Sequence, residues 1–159
     1  MDFSSFFNYP DSEPEMADEE FAFLPTWTPH DWNKLLHHMQ TQVFKTGEVV
    51  IRAGETERAL HVVTFGTLEV LFPLGSTLIP ITSITEGSVL GEQTFLDGKP
   101  RSATIRAATD SQTLYLSFTA FEVFSAKEPD LAHFFLRDLG RIVSLRLRQT
   151  TALLSQWRK

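Results

Sequence analysis

Cysteine is absent from all 159 residues of the chain. Disulfide bridges, thiolate metal sites and cysteine nucleophiles are therefore excluded, and the absence is compatible with a reducing compartment. No apolar run approaches the roughly 18 residues that a membrane-spanning helix requires. The N-terminus also lacks the basic segment and apolar run of a secretory signal. These absences predict a cytoplasmic protein without a membrane span.

The patterns that metal-dependent and hydrolytic enzymes use are also missing. A metal-binding barrel of short strands typically carries a His-x-His pair with a downstream glutamate, and the five histidines do not follow that spacing. Isolated Ser, His and Asp residues are too common to indicate a catalytic triad. We therefore predict no catalytic residues, no metal site and no enzymatic activity.

Positive charge is missing from the first 33 residues. That stretch holds eight of the twenty acidic residues and no Lys or Arg, whereas the rest of the chain carries a net charge of +2. A nearly neutral body does not indicate a strong nucleic-acid binder. We predict that residues 1–26, acidic and rich in phenylalanine, form a tail that is flexible, lies along its own domain or binds a partner. Residues 27–159 are predicted to form the domain.

Helical patterns flank the middle of the chain. The segment Thr28-Pro29-His30-Asp31 predicts a helix start, with Thr28 and Asp31 as reciprocal capping partners. After Ser117 the helical period returns and predicts a long C-terminal helix over 129–157. Its apolar positions spread more widely than packing within one chain requires, which favours a homodimer formed through this helix.

Between these helices, short β-branched segments alternate with glycine-containing turns. Seven or eight strands at this spacing indicate an antiparallel sandwich or jelly roll. The predicted strands are Val49–Ala53, Leu60–Phe65, Thr67–Phe72, Leu78–Ile84, Val89–Leu90, Ala103–Ala107 and Thr113–Ser117. The fold class is therefore mainly β with flanking helices.

The segment from Gly91 to Thr104 carries the best candidate for a binding site. Glu92 and Arg101 lie nine residues apart across a short helical turn and an Asp-Gly break. A carboxylate can accept a hydrogen bond from a sugar hydroxyl. An arginine can donate two parallel hydrogen bonds to two phosphate oxygens. Free amides at a helix start also bind anions. On spacing alone, a surface Glu–Arg ion pair is the other interpretation.

The wider pattern resembles the cyclic nucleotide-binding domain family. The phosphate-binding cassette of that family reads Gly-Glu, a short helix, then Pro-Arg-Ser-Ala-Thr or a close variant. This chain has Gly91-Glu92 followed by Pro100-Arg101-Ser102-Ala103-Thr104. Residues 44–50, 53–55 and 61–70 match the early strands of the family and its glycine-turned hairpin. The resemblance implies an eight-stranded antiparallel jelly-roll β-sandwich with a long C-terminal helix.

The resemblance also implies a role for each cassette residue. Glu92 would bind the ribose 2′-hydroxyl and Arg101 the cyclic phosphate, while Ser102 would contact the phosphate or the base. Gly91 and Ala103 would leave room for the ligand and donate backbone amides.

The cassette departs from the family pattern at two positions. Gln93 and Thr94 stand where an apolar and a small residue are usual, so the cassette helix is expected to pack differently. We include Gln93 among the ligand-binding residues.

The C-terminal helix carries a second resemblance, over residues 146–151. It is similar to the dimerising helix of the bacterial catabolite activators in this family. That similarity implies that Thr150 reads adenine in its own subunit and that Thr151 reaches the site of the neighbour. Two surface threonines near a helix end are the other interpretation. Because the sequence ends at Lys159, we expect no DNA-reading helix-turn-helix and no specific DNA binding.

Together these features imply a stand-alone sensor without a cofactor. It would bind cAMP ahead of cGMP, change conformation and signal through an unidentified effector protein. The alternatives are an interaction module that binds no nucleotide, and a cyclic di-GMP receptor with the same fold.

Overall fold

The computed structural model describes residues 19–156 of the chain. The strands are β1 (Gln40–Phe44), β2 (Val49–Ile51), β3 (Ala59–Phe65), β4 (Leu68–Leu74), β5 (Thr77–Ile84), β6 (Val89–Leu90), β7 (Thr104–Ala107) and β8 (Ser111–Ser117). The helices are α1 (Pro29–Leu36), α2 (Glu92–Asp97), α3 (Phe118–Lys127) and α4 (Pro129–Gln156).

The strands form two four-stranded antiparallel sheets. One sheet has the order β1-β8-β3-β6 and the other β2-β7-β4-β5. Apolar side chains from both sheets form one buried cluster, as the period-two alternation of a sandwich requires. The cluster comprises Ile51, Val63, Leu68, Ile84, Leu90, Ile105 and Ala107. The predicted eight-stranded jelly roll with flanking helices is confirmed, although β1 was not among the segments predicted as strands.

A second core lies between the β1-β8-β3-β6 sheet and the helices. Phe95 of α2 packs against Phe121 of α3 and Phe135 of α4, with ring centroids 5.4 and 6.0 Å away. All three rings are buried. These contacts attach the short helix α2 to the long helix α4.

Both predicted helix signals appear in the structure. Thr28 and Asp31 form the reciprocal capping box at the start of α1. The C-terminal helix begins at Pro129, as predicted, and continues to Gln156. The predicted end at residue 157 lies outside the described residues. In the described part of the chain, no helix is long and apolar enough to cross a membrane.

The predicted domain boundary at residue 27 falls inside a packed segment. Phe23 and Leu24 are both buried, and the Phe23 ring meets the edge of Phe135 at 5.1 Å. Leu24 adopts a left-handed backbone conformation with φ of 51°, which costs a non-glycine residue about 1 kcal/mol and is imposed here by its surroundings. The packed unit thus includes residues that the acidic composition had assigned to the tail. The predicted tail from residue 1 to 18 lies outside the described residues.

We expect Phe23→Ala to lower the free energy of unfolding by about 3 kcal/mol, because it removes a buried ring from the helical core. Phe65→Ala is the matched control, since Phe65 is 59% exposed and should cost about 0.5 kcal/mol or less. Urea unfolding of both variants provides the measurement. Equal, small effects would show that residues 19–26 do not pack on the domain.

Candidate functional site

A cavity of about 310 Å³ lies between the β-sandwich and the helix α4. Side chains from β2, β4, β5, β6 and β7 line one side, and α4 contributes Arg146, Gln149 and Thr150. The segments 91–94 and 101–103 supply the remaining polar wall. The sandwich, the cassette and the C-terminal helix therefore meet at one cavity.

The cassette helix begins on a glycine that no other residue could replace without strain. Gly91 is the N-cap of α2 and has φ of 81° and ψ of 13°, the left-handed conformation. A Cβ atom at this position would lie 2.4 Å from Nη1 of Arg101. The first turn of α2 has no side-chain cap, so its amides are not used by a capping side chain.

Arg101 is buried against the backbone at one end of the cavity. It is 6% exposed, and its Nη1 and Nη2 donate to the carbonyl oxygens of Gly91 (2.9 Å) and Ala59 (2.7 Å). Burial lowers the pKa of the Arg101 guanidinium, while nearby groups that include Glu57 and Glu92 act in the opposite direction. An arginine starts from so high a pKa that it keeps its charge. The cavity wall therefore carries a fixed cation.

Glu92 is paired with a residue that the sequence analysis did not select. Its carboxylate is buried and lies 2.7 Å from Nη1 of Arg146 on α4. The Nη2 of Arg146 also donates to the carbonyl oxygen of Val89. Arg146 precedes Thr150 by four residues, so the two share one face of the helix. That spacing was the signal in the sequence that could have identified Arg146.

The two cassette positions that flank Arg101 and Glu92 contact each other. The hydroxyl of Ser102 donates to Oε1 of Gln93 at 2.8 Å, and both side chains are exposed. Gln93, Ser102 and Ala103 line the cavity, as do Gly91, Glu92 and Arg101. The unusual Gln93 thus has a partner within the cassette, which closes the loop onto the start of α2.

The structure separates the two threonines of α4. Thr150 lines the cavity and Thr151 does not. Their hydroxyls donate back to the carbonyl oxygens of Arg146 (3.0 Å) and Leu147 (2.9 Å), one turn earlier in the helix. Of the predicted site residues, Thr151 alone lies away from this cavity. Its predicted contact with a neighbouring subunit stays a prediction.

The chemistry of the site comes from its charge pair and its hydroxyl and amide groups. Within residues 19–156, no group of three or more His, Asp or Glu side chains is placed to hold a metal ion. The cavity instead combines a buried cation, a buried carboxylate and a partly apolar sheet wall. Such a combination suits a ligand with an anionic group and a sugar hydroxyl.

Comparison with known proteins agrees with this geometry. The family model described as "Cyclic nucleotide-binding domain" matches residues 41–128, more than half of the chain. The chain therefore belongs to the cyclic nucleotide-binding domain family, a family of regulatory ligand-binding domains.

Similar proteins include kinase regulatory subunits, potassium channels and bacterial proteins of known structure. A cAMP-dependent protein kinase regulatory subunit from Emericella nidulans is 29% identical over 65% of this chain and 25% of its own length. The match thus spans about a quarter of that relative. A cyclic nucleotide-binding domain from Methylobacillus flagellatus superposes with a TM-score of 0.76 at 20% identity, over 88% of this chain and 83% of that one. The catabolite activator protein of Thermus thermophilus superposes with a TM-score of 0.71 at 23% identity, over 84% of this chain and 62% of that one.

A buried histidine lies next to the site. His61 of β3 is 3% exposed, and its Nδ1 lies 2.9 Å from the hydroxyl oxygen of Thr113. Burial, with a further contribution from the positive charge of Arg101, lowers the pKa of His61 to about 4. His61 is therefore neutral in the folded protein at neutral pH.

This pKa predicts a specific loss of stability in acid. Between pH 6.5 and 4 the unfolded chain takes up a proton at His61 that the folded chain does not, so stability present above pH 6.5 falls as the pH decreases. At about 1.4 kcal/mol per pH unit, the loss between pH 6.5 and 5 is about 2 kcal/mol. We expect His61→Gln to remove this part of the pH dependence, measured by urea unfolding at pH 7 and pH 5.

His133→Gln is the control, because His133 is exposed on α4. This variant should lose as much stability between pH 7 and pH 5 as the unmodified protein does. An equal loss of stability in acid for His61→Gln would contradict the assignment of that loss to His61.

Proposed function

We propose that this cavity binds a 3′,5′-cyclic nucleotide, with cAMP preferred over cGMP, and that a partner protein reads its occupancy. The observation that carries the proposal is the presence of Arg101 and Glu92, both buried, in one wall of the cavity. A buried cation suits a phosphate, and a buried carboxylate suits a ribose hydroxyl.

Both side chains retain hydrogen-bonding capacity beyond the contacts described. A guanidinium has five N–H groups, and the two described bonds of Arg101 use one on each terminal nitrogen. A carboxylate has about four lone-pair sites, and Glu92 pairs with Arg146 through one oxygen. Both residues therefore keep donors or acceptors that their internal contacts do not use.

The volume of the cavity supports a mononucleotide. At about 310 Å³ it lies at the lower end of the range for small-molecule sites, which runs from about 300 to 1,000 Å³. A cyclic dinucleotide carries two bases, two sugars and two phosphates, so it is about twice as large. The volume of the cavity therefore favours cAMP over cyclic di-GMP.

The α4 side of the cavity supports the preference for adenine. Gln149 and Thr150 both line the space on this side. A glutamine amide can accept from and donate to the N6 and N7 edge of adenine, and the Thr150 hydroxyl, which donates its proton to Arg146, can accept from a base donor. Guanine presents an acceptor where adenine presents a donor, so these two groups provide a basis for discrimination.

Transmission to a partner would use α4. Arg146 connects this helix to the ribose-binding candidate Glu92, so a ligand at Glu92 changes the surroundings of a helix residue. A nucleotide shifts the position of the helix only as far as it binds one position better than another. The exposed leucines Leu147, Leu153 and Leu154 supply an apolar surface for a second copy or an effector. A homodimer through α4 and a cytoplasmic location belong to this proposal.

One observation favours a second candidate, an interaction module that binds no nucleotide. Arg101 is bonded to two carbonyl oxygens and Glu92 is paired with Arg146. The charges of the cassette are therefore compensated without a ligand, as they would be in a purely structural role.

Calorimetry with cAMP, cGMP and cyclic di-GMP separates these functions. We expect the unmodified protein to bind cAMP most tightly and Arg101→Lys to bind it about 30-fold more weakly. That factor corresponds to about 2 kcal/mol, the range of a hydrogen bond to a charged group, because lysine cannot form the two-pronged contact. Arg52→Lys is the matched control, since Arg52 is exposed and does not line the cavity.

Three outcomes contradict the proposal in different ways. If no nucleotide binds, the interaction module is the better account. Binding of cyclic di-GMP alone would identify the ligand as a dinucleotide. Unchanged cAMP affinity in Arg101→Lys would place the ligand elsewhere.

A further inference from the structure

The wall of the cavity includes one aromatic residue from outside the sandwich and α4. Phe21 lines the space and is half-buried, although it precedes the first helix and lies in the segment that the sequence analysis assigned to a tail. We call residues 19–24 the N-terminal strap. The candidate site therefore contains an element that neither the cassette nor the long helix supplies.

The long helix holds the strap on both sides of Phe21. Arg141 of α4 donates from Nη1 to the carbonyl oxygen of Glu20 (2.9 Å) and from Nη2 to that of Ala22 (2.7 Å). These two carbonyls belong to the residues immediately before and after Phe21. Arg141 therefore bonds to the backbone on both sides of Phe21.

Further contacts complete the attachment of the strap. Asp138 accepts from the backbone amide of Leu24 at 2.6 Å and also pairs with Arg141 at 2.7 Å. The amide of Phe23 donates to the carbonyl oxygen of Gly87 at 2.9 Å, next to Ser88, which lines the cavity. The strap is therefore bonded both to α4 and to the rim of the sheet.

The strap and the ligand site share one helix over a short distance. Arg141 and Arg146 are five residues apart, which corresponds to about 7.5 Å along the helix axis. Arg141 holds the strap, whereas Arg146 holds Glu92. Placement of Phe21 and placement of the ribose-binding candidate therefore depend on the same part of α4.

We propose that Phe21 stacks on the base of the bound nucleotide, so that the N-terminal strap is a base-recognition element; this rests on the proposed function. Phosphate and ribose are assigned to Arg101 and Glu92, so the base must occupy another part of the cavity. A phenyl ring offers no group for phosphate or ribose hydroxyls, whereas every base has a π-face that stacks on an aromatic ring. By linkage, a nucleotide that uses Phe21 also stabilises the attachment of the strap.

The test compares cAMP with ribose 3′,5′-cyclic phosphate, which lacks the base. We expect Phe21→Ala to weaken cAMP binding about 10-fold in calorimetry, within the range for loss of a base-stacking ring, and to leave binding of the base-free ligand unchanged. Phe21→Trp should keep the cAMP affinity. Phe65→Ala is the matched control, because this exposed ring does not line the cavity.

A second variant tests the strap without changing Phe21. Arg141→Ala removes the donors that hold the carbonyls of Glu20 and Ala22. Like Phe21→Ala, it should therefore weaken the binding of cAMP and leave the binding of the base-free ligand unchanged. In the unmodified protein, cAMP should also slow amide hydrogen exchange at residues 22–24. Thermal unfolding of each ligand-free variant checks that it is folded.

Several results would overturn the proposal. Unchanged or tighter cAMP binding in Phe21→Ala would show that the ring is a bystander or fills space that the ligand needs. An equal loss for both ligands would assign Phe21 to the general shape of the cavity. If cAMP binding still depends on Arg101 in these cases, the proposed function stands and only the role of the strap is lost. If the unmodified protein binds no cyclic nucleotide, both proposals fail.

Discussion

The structure depends on the hydrogen bonds that the Arg101 guanidinium donates to two backbone carbonyl oxygens. Arg101 bonds to Gly91 at the start of α2 and to Ala59 at the start of β3, and it is almost completely buried. Removing a cation from water carries a large free-energy penalty unless hydrogen bonds compensate it. Gly91 makes that compensation geometrically possible, since a side chain there would meet the guanidinium. The group that orders the cassette is therefore also the group best suited to a phosphate.

The long helix α4 joins the cassette, the core and the N-terminal strap. Phe135 packs in the helical core with Phe95 of α2, while Arg146 pairs with Glu92 and Arg141 holds the strap. Three separate parts of the molecule are thus attached to one 28-residue helix. A ligand that altered one of these attachments would act on the helix that also carries the others. This arrangement gives the proposed signal a physical route within the chain.

Local signals predicted most of the fold, and long-range contacts account for what they missed. Glycine turns and β-branched runs indicated the sandwich, and the capping box at Thr28 indicated the start of α1. The cassette was recognised from its resemblance to a family pattern that lies in one continuous segment, whereas the spacing of Glu92 and Arg101 alone left a surface ion pair as the other interpretation. Arg146 was missed since its contact with Glu92 spans more than fifty residues of sequence. The acidic composition before Phe21 left a flexible tail, a packed one and a partner-binding one as alternatives, and only the structure shows that Phe23 and Leu24 are buried.

The central claim is that the guanidinium of Arg101 binds a cyclic phosphate. The most direct measurement is the side-chain 15N NMR spectrum, in which the nine arginines of the chain give a small number of resonances and loss of a signal in Arg101→Lys assigns the one from Arg101. The account predicts that addition of cAMP shifts the Arg101 Nε–H resonance progressively and to saturation, since a phosphate adds a charged acceptor to its surroundings. An Arg101 resonance that stays unchanged while cAMP saturates the protein would contradict the account.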